Sequence, residues 1–364
     1  MSLHRITGQH SAKAQIAVWL TADRLPHTVL VAGREGVGKR ELAFELARAI
    51  NCQGAADACG ECPSCLKIAS LSHRDVHVAL PLPAGSNRSD EAMVAAMREA
   101  ALEYLGNHSS LKHSNSNIPR DYIRLLHREM SYAPAEGRRR IGIIFEADCM
   151  HPAGANSLLK ILEEPPRHAV FILVSSAPHL LLPTVVSRCQ RLDLRPLSTA
   201  ELSRRLRDRG VDPDRAELAA RIGAGSVRRA DEVVDQAGEF EERRNRAERF
   251  LRAGFRQEDG AYWAALEELD ARSDRGQLDS FLEICGVYLR DLFLTGQDRA
   301  VDVTNTDRIQ WLQGQVEMLD LQALEVCAER LDRSYADLHG NINVQLLLAD
   351  FWQSLRQCAR PSRR

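Results

Sequence analysis

The chain has 364 residues, 44% of them apolar and 27% charged, with a formal net charge of −2. That length exceeds one ordinary domain, and the composition excludes a disordered or fibrous chain. The near-neutral balance argues against an autonomous nucleic-acid binder, which carries a clear basic excess, so any DNA contact is expected to be local or shared with partners.

The sequence opens without a basic-then-apolar leader and has no long apolar run, from which a cytoplasmic protein without a membrane segment is expected. Residues 11–22, SAKAQIAVWLTA, have helical spacing, and TVLVAG after the turn-like RLPH reads as a buried strand. Strand, glycine loop, then ELAFELARAIN as a helix is the order that a phosphate-binding loop requires. The pattern G-x-x-x-x-G-K-[ST] is met at Gly33, Gly38 and Lys39 but breaks at Arg40, where a hydroxyl would ligate Mg²⁺. In an intact loop, backbone N–H groups and the helix N-terminus cradle phosphates while the lysine reaches the β and γ oxygens.

Directly after that helix stand Cys52, Cys59, Cys62 and Cys65, the donor set of a closed, structural Zn²⁺ site. Gly60 and Pro63 suit the tight turns between them. The other five of the nine cysteines are scattered, which is a poor disulfide framework. Residues 81–120 shift to PLPAGSNRSD, a helix-like DEAMVAAMREAALEYL and GNHSSLKHSNSNIP, and read as an excursion on the surface of the first domain.

RIGIIF at 140–145 and AVFILVSS at 169–176 are two more buried-strand candidates, separated by the helix-like NSLLKILEE. Strands alternating with helices imply a mostly parallel sheet covered on both faces. Arg138, Arg139 and Arg140 before the first of these strands read as a solvated turn, and Ser175 and Ser176 as strand-end hydroxyls. A metal site would need an acidic residue at the end of a neighbouring strand; in one register of RIGIIF Phe145 takes that place with Glu146 after it, and in another Asp148 does. From about residue 197 no strand is expected, and amphipathic helices such as EFEERRNRAERFLRAGF and SFLEICGVYLRDLFL take over. Phe281, Tyr288, Phe293 and Trp311 recur at helix spacing and are expected to be packing residues.

NSLLKILEEPP at 156–166, SRC at 187–189, GSVRRA at 225–230, the four-cysteine insert and GNINVQLLL near the end together resemble the bacterial clamp-loader ATPases of DNA polymerase III. The resemblance covers nearly the whole chain apart from residues 81–117. It implies an α/β AAA+ domain with the zinc module over residues 1–196, a helical lid at 197–237 and a helical collar at 238–364 that holds such subunits in a ring. It also places Phe145 and Glu146 on the family's paired Asp and Glu. With both metal-holding positions lost, the chain looks like the delta-prime branch, which has given up hydrolysis. Whether Gly33, Gly38 and Lys39 still hold a phosphate stays open.

The same resemblance makes Arg188 an arginine finger that reaches the ATP of a neighbouring subunit, and Arg228 the lid arginine that senses phosphate. It implies gamma/tau and delta subunits as partners, with the sliding clamp and primer-template DNA met through the assembled complex at the replisome. Two other readings are an active gamma/tau-like ATPase and an unrelated zinc-containing P-loop protein that binds nucleic acid.

Overall fold

The computed structural model describes residues 3–22, 24–54, 58–83, 89–106, 116–258, 260, 262–263, 275–338 and 344–359. Parts of the excursion (84–88 and 107–115) and the GNIN of GNINVQLLL (340–343) therefore lie outside the described residues. The chain divides into two compact units, Met1–Arg205 with Ala224–Arg229, and Leu206–Gly223 with Ala230–Arg364. Among the described residues no helix is long and apolar enough to cross a membrane.

In the first unit, helix α1 (His10–Thr21) leads to strand β1 (Thr28–Ala32), helix α2 (Lys39–Asn51) and helix α3 (Pro63–Ala69). Strand β2 (Val76–Ala79), the two-residue strand β3 (Leu82–Pro83), helix α4 (Asp90–Gly106) and the two-residue strand β4 (Ser116–Asn117) follow. Then come helix α5 (Arg120–Ser131), strand β5 (Arg140–Ile144), helix α6 (Pro152–Glu163), strand β6 (Ala169–Ser175), helix α7 (Pro183–Val186), strand β7 (Gln190–Asp193) and helix α8 (Thr199–Asp208).

The main sheet runs β2-β5-β6-β1-β7 and every pairing in it is parallel. All residues of β1, β5 and β6 are buried, as expected of central strands covered by helices on both faces. Register sets Leu30 opposite Leu173 and Ile143 opposite Ile172, so β-branched and leucine side chains stack across the sheet. Leu42, Leu46 and Ile50 of α2 and Leu158, Ile161 and Leu162 of α6 join the same core at helical spacing.

Helix α4 departs from the expected surface excursion. Met93, Met97, Ala101 and Tyr104 line its inner face and are buried in the main core, and the Leu80 N–H lies 3.2 Å from the Met97 sulfur.

Arg140 is not a solvated turn residue either. It is buried at the start of β5, where its Nε donates to the Ala133 carbonyl at 3.1 Å and lies 3.7 Å from an Asp75 carboxylate oxygen. Asp75, fully buried, accepts the N–H groups of Ala135, Glu136 and Gly137 at 2.7, 2.8 and 2.6 Å. Asn51 at the end of α2 accepts the N–H groups of Arg138 and Arg139 and donates to the Arg139 carbonyl. Two side chains thus satisfy the turn that aims β5, and with it Phe145 and Glu146, at the glycine loop.

The second unit contains helix α9 (Pro213–Gly223), most of helix α10 (Val227–Asp235), helix α11 (Ala237–Phe255), helix α12 (Arg275–Gly296), helix α13 (Ile309–Val316), helix α14 (Leu321–Leu338) and helix α15 (Val344–Gln357). Phe250 packs at 4.9 Å on Trp352 and 5.3 Å on Phe281, while Tyr288 is buried and donates to Glu248 at 2.6 Å. Phe293 and Trp311 pack at the margin of this core, so all four expected aromatics are packing residues. A buried polar knot ties α11 to the chain before α13: Arg244 donates to Asp307 and Asn305, and Asp291 accepts the N–H groups of Thr304 and Asn305.

Burial alone would raise the pKa of Asp75, but the three backbone N–H groups and Arg140 outweigh it and hold the carboxyl below its ordinary value. We expect Asp75→Asn to lower unfolding free energy by about 2–4 kcal/mol in urea titrations at neutral pH. Because the folded-state value is the lower one, this contribution is complete above the unfolded value of about 4 and disappears as pH falls through the folded value. The difference between the two chains should therefore shrink in acid, and a gap that is constant with pH would contradict the assignment.

Candidate nucleotide loop and metal centre

The glycine loop joins β1 to α2, and its glycines meet real constraints. Gly38 is the N-cap of α2 with φ 95°, in the left-handed region. Gly33 is needed by space, since a Cβ there would lie 2.6 Å from the Leu194 carbonyl oxygen. Lys39 is 6% exposed and donates to the carbonyl of Arg34 within its own loop at 2.7 Å.

Ser226, Val227 and Arg228 close on the loop from the other side. The Val227 N–H donates to the Gly36 carbonyl at 2.8 Å, and the Arg228 guanidinium pairs with Glu35 at 3.1 Å. The sequence-predicted Gly33, Gly38, Lys39 and Arg228 are thus brought together, with loop and arginine already bonded to one another.

Beside the loop, Arg40 and the end of β5 meet an aromatic cluster. Arg40 lies with its guanidinium carbon 3.4 Å from the centre of the Tyr104 ring and donates to the Tyr104 carbonyl. Phe145 is fully buried between Phe44 and Tyr104, at ring distances of 5.5 and 5.3 Å. Glu146 adopts φ 46° and accepts the Tyr104 hydroxyl at 3.1 Å. Asp148, the other acid considered for the metal, accepts the Ser175 hydroxyl at 2.6 Å, and Ser175 in turn accepts the Ala177 N–H, a strand-end turn. Tyr104 has no local sequence signal: it meets Arg40 across 64 residues.

Arg188 follows α7, far in sequence from the loop. Its two terminal nitrogens donate at 2.9 Å to the Glu163 carboxylate and to the Thr184 carbonyl. Side-chain exposures of 35% for Arg188 and 52% for Glu163 leave the pair open to solvent. Glu163, the first acid of the LEEPP run, was not singled out by sequence pattern as a partner.

The four cysteines converge. Their sulfurs all lie within 4.8 Å of one another, with Cys52 and Cys65 buried, and Cys52 and Cys62 are 4.0 Å apart. Tetrahedral coordination with Zn–S bonds of about 2.3 Å sets sulfurs about 3.8 Å apart, so the cluster fits that ion. Backbone N–H groups of Gly54 and Cys59 point at Cys52, that of Cys62 at Cys59 and that of Cys65 at Cys62, at 3.3–3.4 Å.

Burial opposes charge on Cys62, but the N–H groups of Cys65 and Gln53 and the neighbouring thiols bring it down to about 6. Burial pushes Cys65 up to about 12. A dication is what would hold the whole set as thiolates. Cys62 caps α3 and Pro63 opens it, so the knuckle is built on a helix start.

Residues 8–198 match the family described as "DNA polymerase III, delta subunit". The delta-prime subunit of DNA polymerase III from Bacillus subtilis is 27% identical over 90% of this chain and 89% of its own. The gamma/tau subunit from Mycobacterium tuberculosis is 34% identical over 65% of this chain, which spans only 37% of that longer protein. A solved structure of a gamma subunit-related protein of DNA polymerase III from Thermotoga maritima aligns over 95% of this chain and all of its own, at 15% identity with a TM-score of 0.52, a likeness of fold.

Elemental analysis of the purified, reduced chain should find about one zinc per molecule. Cys62→Ser should lose the metal and lower the melting temperature by several degrees or more. A metal-free chain of unchanged melting temperature would defeat the assignment.

Proposed function

Because the chain belongs to the DNA polymerase III delta subunit family, we propose that it is a delta-prime-type, non-hydrolysing subunit of the clamp loader, acting with gamma/tau and delta subunits to place a sliding clamp on primed DNA. The observation that carries this reading is the paired departure at positions 40 and 145, where Arg and Phe stand in place of the groups that hold Mg²⁺. Neither a guanidinium nor a phenyl ring can ligate a cation. In this reading residues 1–196 are the AAA+ domain, residues 197–237 are a lid, and residues 238–364 are a collar that joins the ring. Zinc, when bound to the four thiolates, cross-links the segment after α2 and has no open position for catalysis.

The active contribution is made across an interface. Arg188 is supported by its exposure and by the kind of bond that holds it: a solvent-exposed ion pair contributes about 0–1 kcal/mol. The triphosphate of a neighbouring subunit presents more charge and three oxygens in a geometry that a guanidinium matches, so it can displace Glu163. The guanidinium would then stabilise charge developing on the transferred phosphoryl group, a contribution of about 10³–10⁵ in rate where it has been measured in other systems. With a net charge of −2, contact with DNA would be shared with the other subunits.

The purified chain should show no Mg²⁺-dependent ATP turnover, and turnover that Lys39→Ala abolishes would refute the proposal. In a complex reconstituted with gamma/tau and delta subunits, Arg188→Ala should leave assembly intact and lower DNA-stimulated ATPase and clamp loading by about tenfold or more. Unchanged rates would reject the finger while leaving the non-hydrolysing role in place.

A further inference from the structure

Helix α4 carries a side chain that touches all three positions at which a loop-type ATPase holds its metal and its attacking water. The Tyr104 ring lies 3.4 Å from the Arg40 guanidinium carbon, its carbonyl accepts from the same guanidinium, and its ring packs on Phe145 at 5.3 Å. Its hydroxyl donates to Glu146 at 3.1 Å. Burial first, and then the negative charge of Glu146, raise the phenol far above its ordinary value, so it stays a donor at any physiological pH. The helix cannot swing away cheaply, because Met93, Met97 and Ala101 anchor it in the core on the same face.

Arg40 and Phe145 are therefore members of one packed cluster whose fourth side comes from an inserted segment. We propose that Tyr104 is an internal closure of the metal side of the glycine-loop site, which fills with the chain's own side chain the ground between Arg40 and Glu146 that a metal-bound nucleotide needs. The closure rests on the non-hydrolysing reading and deepens it: restoring the missing hydroxyl at position 40 does not by itself reopen the site. A phenol clamped between a cation and a carboxylate joins α2 to the end of β5, which is the junction that bound Mg-nucleotide makes in an active member of the fold.

The test measures equilibrium binding of ATP with Mg²⁺ and with EDTA to four full-length chains: unmodified, Arg40→Thr, Tyr104→Leu, and the double variant. Leucine keeps apolar bulk in the core while removing ring face and hydroxyl. The first three should differ by less than about threefold between Mg²⁺ and EDTA; in the double variant the position-40 hydroxyl and the phosphate oxygens can hold the ion, with water standing where Phe145 offers no ligand, so it should bind about tenfold or more tightly with Mg²⁺. Full gain in Arg40→Thr alone, or no gain in the double variant, overturns the closure while the non-hydrolysing reading stands. Hydrolysis by the unmodified chain overturns both.

A second measurement is independent of nucleotide. A double-mutant cycle on Arg40→Thr and Tyr104→Leu in urea should be non-additive by about threefold or more in the unfolding equilibrium constant. Additive effects would show that the two side chains do not act as a unit, and would also overturn the closure.

Discussion

Parallel pairing in the central sheet is the constraint on which the rest depends. Parallel strands cannot be joined by tight turns, so each return from β1, β5 and β6 goes through a helix, and the carboxyl ends of the three strands meet along one edge. The glycine loop after β1, Phe145 and Glu146 after β5, and Ser175 at the end of β6 are neighbours for that reason alone. Strand β1 is buried along its whole length, and six residues, 33–38, join it to the helix it feeds.

At this edge the contacts are those of aromatic packing. Position 145 is fully buried between two aromatic rings, where a carboxylate without a metal would be a costly unpaired charge. Phenylalanine suits such a place. An arginine at position 40 has the reach to leave the loop and lie on Tyr104, which a lysine could also reach but not stack on as a plane. The two departures are physically coupled, since each contacts the same ring. Aromatic contacts within the chain hold this junction together.

The loop itself persists because it is a fold element. Gly38 starts α2, Gly33 clears the backbone at Leu194, and Gly36 accepts the Val227 N–H. None of these tasks needs a nucleotide. The outward-facing Arg188 is the reverse case. Its pair with Glu163 is exposed and its other bond is to a backbone carbonyl, so the side chain is held by weak contacts open to solvent. In the proposed role the buried half of the old site keeps the module rigid while the exposed arginine does the chemistry.

Sequence by itself determined what is local. The central strands are legible because parallel strands are apolar on both faces, the glycine loop because its positive φ angles admit few residues, and the knuckle because its four cysteines lie within one short stretch. Strands β2 and β7 were not legible: VHVA and QRLD are short and partly polar, and β7 buries only Leu192, so hydrogen bonds to a neighbour make them strands. Helix α5 did carry a signal, since Tyr122, Ile123, Leu126 and Met130 of RDYIRLLHREMS are buried at helical spacing. Only the tertiary structure decided that Arg140 is buried against Asp75, that Glu163 holds Arg188, and that Tyr104 closes on Arg40. These pairings join residues far apart in sequence, and their energy exists only once the sheet has brought the partners together, so no local pattern of residues encodes them.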